Sequence, residues 1–365
     1  MPTGRNSQKK SAAAGDLSVK KTGSKPPLHI LILGGTGFLG PHEARYAVDR
    51  GHTVTLFNRG GQQANLPTGV RHLRGDRNGQ LDSLKTGSWD AVIDNSATEP
   101  AWVRMSAGLL RGRAKLYMYV SSTGVYFPYL SNRIDESVKP VLVEDPAKAG
   151  SSFGVRKANS ETEAEKAFPG KTIIVRPHYI IGPGDTTYRF PYWPQRVERG
   201  GEVLAPGRRT DLVQFVDVRD LTEWMIRMIE EAATGIYNVA GPRSPMSMAE
   251  FLAEVQVSLI GSNPTRFTWV DDYDFLGRYG LVEVVPWVPL RGDHLGSASV
   301  NFDKALERGL THRPLGQTVR DTLAWWKSNA VTAERKANPG FVLTSEKEAE
   351  MLAAWNARQA AVTDG

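Results

Sequence analysis

Short, nearly unbroken apolar runs recur along the chain at 28–33, 53–57, 91–94, 116–120 and 172–175. Runs of this length without polar alternation predict strands covered on both faces, as in a parallel sheet. Weaker strands are predicted at 70–74 and 236–239. Between them, 38–50, 80–85, 101–110, 152–167 and 220–231 have helical character. In the last of these, Leu221, Trp224, Met225, Met228 and Ile229 fall on one face. Strand and helix alternating in this way predict an α/β fold with a doubly wound parallel sheet.

The pattern changes twice. Residues 128–150 are rich in Pro, Asp and Gly and predict a loop. Residues 182–213 are rich in Pro, Gly, Arg and aromatics and are expected to form binding loops rather than sheet. Further helices are predicted at 248–259, 302–309 and 318–326, with an apolar loop at 284–290. Beyond 331 the chain is polar, with a helix expected at 346–359. The expected organisation is a basic arm (1–27) and a nucleotide-binding domain (28–181, with 214–240 returning to it). A smaller substrate lobe (182–213 and 241–330) and a polar helical tail (331–365) complete it.

The glycines of Ile30–Gly40, ILILGGTGFLG, give the first strand a chemical meaning. Gly34, Gly37 and Gly40 follow the strand and open a helix, and a second strand follows. A βα turn that holds a pyrophosphate needs glycine for the tight turn, for close backbone approach to the phosphates and for helix–strand packing. The N–H groups of the helix then face the phosphates. A dinucleotide site is expected here, with Phe38 and Leu39 beside the glycines.

At 365 residues, 40% of them hydrophobic, the chain is long enough for this domain and a second lobe. No apolar run is long enough to span a bilayer, and no cysteine is present, which excludes disulfides and thiolate chemistry. The net charge of +6 suggests nucleic acid at first sight. Residues 1–27, however, carry Arg5, Lys9, Lys10, Lys20, Lys21 and Lys25 against Asp16, leaving a net of only +1 for the rest. The basicity belongs to an arm, and no basic stripe with interleaved aromatics is visible. No nucleic-acid or membrane partner is expected. The arm reads as disordered and lacks the hydrophobic stretch of a signal peptide. It fits a native tail, the remnant of a removed export signal or an appended segment; a cytoplasmic location is expected. The histidines lack ligand spacing, so no metal is expected, and no nucleophile elbow appears.

The glycine motif, YVSSTGVY (119–126), FGVRK (153–157) and RPHYIIGPGD (176–185) occur in that order. Together they resemble the extended short-chain dehydrogenase/reductase family, which includes nucleotide-sugar epimerases and dehydratases, over roughly 28–330. The resemblance implies a Rossmann-type domain with a smaller C-terminal substrate lobe, an NAD or NADP cofactor, and a reaction at a secondary alcohol or ketone. A homodimer is expected by the same analogy. The family uses Ser/Thr, Tyr and Lys: the tyrosine moves the substrate hydroxyl proton, the lysine lowers its pKa and holds the nicotinamide ribose, and the Ser/Thr orients the substrate oxygen. The Ser/Thr position falls on Ser122, with Thr123 beside it, and the lysine on Lys157. Residues four apart share a helix face, but the tyrosine position holds Phe153, which has no proton to give.

Three readings of Phe153 stand: a cofactor binder with little chemistry, another proton carrier (Tyr126, His178, Tyr179 or Tyr188), or an edited enzyme. Asn58-Arg59 ends the second strand where NAD enzymes place a carboxylate, which favours NADP. Asp76 matches the position that contacts adenine, Ser96-Ala97 the turn that lines the ribose, and Pro177 the turn near the nicotinamide. Arg189, Trp193 and Arg208, with Tyr192, Arg196 and Arg209 nearby, are expected in the substrate loops with His178. Arginine forks there would suit a diphosphate, and aromatics a base or sugar.

Overall fold

The computed structural model describes residues 26–60, 66–95, 99–142, 152–259 and 263–363. Its first half runs β1 (His29–Leu33), α1 (Gly40–Asp49), β2 (Thr53–Asn58), β3 (Arg71–Arg74), β4 (Trp89–Asp94), α2 (Pro100–Leu110), β5 (Ala114–Val120), α3 (Phe153–Ala167) and β6 (Thr172–Pro177). The chain continues through β7 (Ile180–Ile181), α4 (Tyr192–Arg199), β8 (Gly201–Pro206), β9 (Leu212–Asp217), α5 (Val218–Glu230) and β10 (Gly235–Val239). It ends with β11 (Gly241–Ser247), α6 (Met248–Ser258), β12 (Thr265–Val270), α7 (Tyr273–Arg278), α8 (Asp303–Glu307), α9 (Leu315–Lys327), α10 (Ala333–Ala337) and α11 (Ser345–Thr363).

Seven strands form one sheet in the order β10-β6-β5-β4-β1-β2-β3, and every pairing in it is parallel. The apolar runs explain why. In β1, Ile30 and Ile32 pack on one side with Ala44 of α1 and Leu221 and Met225 of α5. Leu31 and Leu33 pack on the other with Val103 and Ala107 of α2 and Ala164 of α3. Both faces are covered, as continuous apolar strands require. The strand order reverses between β1 and β4, so the loops after these two strands part and leave a crevice.

The second core lies under α4, α6, α9 and α11, and joins Trp193, Phe251, Trp287, Val319, Met351 and Trp355. Three sequence expectations change here. Residues 182–213 are not loops alone, because they hold α4 and β8, and β8 pairs in parallel with β12. The helix expected at 80–85 is only a single 3-10 turn, Asp82–Leu84. The segment beyond 331, though polar in sequence, contributes Leu343, Met351, Leu352 and Trp355 to the second core. Residues 1–25 of the basic arm lie outside the described residues.

Candidate dinucleotide and substrate cleft

The crevice is a cleft of about 720 Å³ at the C-terminal ends of β1, β4, β5 and β6. Its floor is the glycine turn. Gly34 has φ 82°, a left-handed conformation that favours glycine. A Cβ on Gly40 would lie 2.4 Å from the Gly35 backbone, so glycine there lets α1 pack onto the turn. Gly37 differs from both. A Cβ there would meet no protein atom nearer than Gly34 O at 3.9 Å. The fold does not need glycine at 37, and the space it keeps opens into the cleft.

Orphaned polar atoms also face this space. Asn95 donates to Glu43 Oε2 at 2.6 Å, but its own Oδ1 is buried without a partner, as is Ser121 Oγ. Asn95 and Ser121 both line the cleft. Buried polar groups normally find partners, and a ribose or nicotinamide would supply them. Bare backbone at Gly37, two orphaned oxygens and a buried lysine fit a dinucleotide. Glu43 is fully buried beneath the turn, and burial pushes its carboxyl up to about 8.

β5 and α3 bring the catalytic candidates together. Ser122 caps the turn after β5, its Oγ accepting from Gly124 N at 3.0 Å. Ser152 caps α3 by accepting from Val155 N. The two segments touch where Gly154 meets Gly124: a Cβ on Gly154 would lie 2.0 Å from Gly124 O. The Phe153 ring covers Gly124 and is about half exposed at the cleft mouth. Lys157 lies below it, 5% exposed, its Nζ donating to Val120 O at 2.8 Å and 5.8 Å from the Phe153 ring centre. Burial pulls its pKa down to about 8, while the Asp94 charge works the other way.

Pro177 and His178 reach the cleft from the end of β6. His178 Nε2 lies 2.8 Å from Ser297 O. A carbonyl only accepts, so this nitrogen carries the proton, and Nδ1 makes no hydrogen bond of normal geometry. Burial lowers the pKa of His178 to about 4, so the ring is neutral at pH 7. Thr123 and Arg189 also line the cleft.

Other candidates lie elsewhere. Trp193 is fully buried in the second core, donating to Val285 O at 2.9 Å, so it cannot face a substrate. Arg208 stacks on Tyr273 and is not among the cleft residues. Tyr126 is locked between Arg176 (2.6 Å) and Asn238 (2.8 Å). Tyr188 packs against Trp325 and Trp326, outside the cleft lining. Tyr179 does line it, donating to Glu283 Oε2 at 2.6 Å. Ser96 and Ala97 lie outside the described residues.

At the far end of the sheet Arg59, Arg74 and Asp76 line a second hollow of about 550 Å³. Asn58 accepts from Gly60 N at 2.8 Å, and its Nδ2 is buried without a partner.

Several cleft residues were not singled out by sequence. Asn95 and Ser121 could have been, since each directly follows a strand of the sheet. Phe127, Tyr129, Glu283, His294 and Ser297 come from irregular segments with no periodic signal.

Residues 103–240 match the model of the NAD dependent epimerase/dehydratase family. Among curated relatives is the chloroplast stem-loop binding protein of 41 kDa b of Arabidopsis thaliana. It is 29% identical over 235 residues, 59% of this chain and 59% of the relative. Another is the 2-alkyl-3-oxoalkanoate reductase of Stenotrophomonas maltophilia, 29% identical over 180 residues, 43% of this chain and 52% of the relative. The matches thus span little more than half the length of these relatives.

Solved structures share this fold over nearly their whole length. The Bordetella bronchiseptica enzyme WbmH in complex with NAD+ aligns with TM-score 0.61 and 16% identity, covering 83% of this chain and 99% of its own. The Thermotoga maritima UDP-glucose 4-epimerase with UDP-glucose aligns with TM-score 0.59 and 16% identity, covering 82% and 98%.

Proposed function

We propose that the protein is an NAD(P)-dependent oxidoreductase or epimerase acting on a secondary alcohol or ketone. The observation that carries this reading is the meeting of Gly37, Ser122, Phe153, Lys157 and Pro177 on one cleft. A bound nicotinamide would supply hydride exchange at its C4. Ser122 uses a lone pair on Gly124 N and keeps its own hydroxyl proton for a substrate oxygen. Lys157 spends one proton on Val120 O and has others for the ribose hydroxyls. Phe153 fills the volume of the family's tyrosine without its oxygen. NADP is favoured over NAD, because Arg59 and Arg74 flank the hollow beyond β2 and no carboxylate ends that strand. The relatives suggest two substrate types, a nucleotide-sugar and an oxoalkanoate, each with a carbonyl or secondary hydroxyl.

The test is Phe153→Tyr, assayed with NADP(H) against ketones, oxo acids and nucleotide-sugars. Restoring a positioned acid/base is expected to raise turnover by about a hundredfold or more. Equal rates would mean that the proton travels another way, with His178 and Tyr179, which both line the cleft, the candidates. A second reading is a catalytically silent dinucleotide-binding protein, favoured by Phe153 itself and by a relative named for stem-loop binding. It would be supported if both forms bind cofactor and neither turns over. Salt-sensitive RNA association, lost on deleting residues 1–27, would add a nucleic-acid partner to it.

A further inference from the structure

The substrate end of the cleft differs in chemistry from what a nucleoside diphosphate needs. A diphosphate is held by several uncompensated donors, with arginine forks the usual choice. The loop arginines that could serve are committed elsewhere. Arg196 is buried, pairing with Glu348 and donating to the Gly200 and Glu202 carbonyls. Arg208 lies over Tyr273 and Arg209 over Trp269. Among the described residues, Arg189 is the one arginine on the cleft, and Glu283 sits 3.6 Å from it.

The walls are apolar instead. Phe127 and Phe153 form the mouth, and both rings are more than a third exposed. The Phe127 ring lies 6.2 Å from Tyr129 and 5.4 Å from His294. Leu130 and Leu295, which adjoin Tyr129 and His294 in sequence, are exposed as well. Exposed apolar side chains that extend a cleft outward mark a place where apolar ligand surface is buried.

We infer that this cleft takes a carbonyl compound or secondary alcohol carrying an alkyl or aryl tail and at most one negative group. The reacting carbon sits at Ser122, the tail lies along Phe127 and Phe153, and the single negative group faces Arg189. This rests on the oxidoreductase reading above and narrows its substrate class.

The test is calorimetric titration of the full chain, with and without saturating NADPH, using 3-hydroxyhexanoate, 3-hydroxyoctanoate, 3-hydroxydecanoate and UDP-glucose. Affinity is expected to rise roughly tenfold per two-carbon step, as burying two methylenes implies, and UDP-glucose to bind more weakly than the decanoate. Phe127→Ala should flatten the gradient. Arg189→Gln should weaken all three acids by a similar factor and leave the gradient intact. A flat series, a gradient indifferent to Phe127, or tighter binding of UDP-glucose overturns the inference. NADPH binding is read separately in the same titrations. Its loss would strike the oxidoreductase reading, while the chain-length series still judges the tail.

Discussion

Lys157 shows how a single residue is tuned by its position. Its ammonium is buried under the Phe153 ring, and burial brings its pKa from 10.5 to about 8. Between these values the unfolded chain holds a proton that the folded chain has released. Stability therefore rises with pH across that window, and below about pH 8 the burial cost is felt in full. In cofactor-free protein, Lys157→Met is expected to be more stable than the parent at pH 7. That advantage should shrink between about pH 8 and 10.5, as denaturant unfolding at several pH values would reveal. An advantage constant with pH would mean that the lysine is not buried as a charge. Lys157 was legible through the family resemblance that FGVRK helps to carry, and the four-residue spacing puts it on the helix face of Phe153. Trp193 was misplaced for an equally physical reason. An aromatic among Pro and Arg residues reads as a binding loop, whereas here it anchors a core.

Among the elements, the sheet strands were the most legible. β1, β4, β5 and β6 are continuous apolar runs, and a parallel sheet needs nothing more to reveal itself. β8 and β12 were not legible: β8 sits among Gly, Pro and Arg residues, and β12 carries exposed positions. α11 was predicted as a helix, but its polar composition hid its packing. Besides the core contacts of Met351, Leu352 and Trp355, Glu348 joins it to the rest. Its carboxylate takes Arg196 Nε at 2.5 Å and Leu204 N at 3.0 Å, and both partners are buried. Glu348→Ala would leave Arg196 buried with its charge uncompensated. Breaking a pair in this way costs about 3–5 kcal/mol, and equilibrium urea unfolding should show it. A loss below about 1 kcal/mol, typical of exposed pairs, would mean that α11 does not dock as described.

At the scale of the whole molecule, a crossover sheet leaves a crevice at its switch point, and a second core brings Arg189, Glu283 and His294 to its outer side. Sequence located the inner half of this cleft, because local motifs carry it. The outer half is assembled from segments distant in sequence, Arg189 from one and Glu283 and His294 from another, and no local pattern announces that. The glycine turn is proposed to hold a dinucleotide. Gly37 isolates that role, since a Cβ there would meet no protein atom nearer than Gly34 O at 3.9 Å. The decisive measurement is titration of NADPH and NADH into the parent chain and Gly37→Val, with melting temperatures recorded alongside. Saturable binding by the parent, tighter for NADPH, and an affinity at least about tenfold weaker in a variant that melts normally is the predicted result. Equal affinity in both proteins, or no binding by the parent, would contradict it.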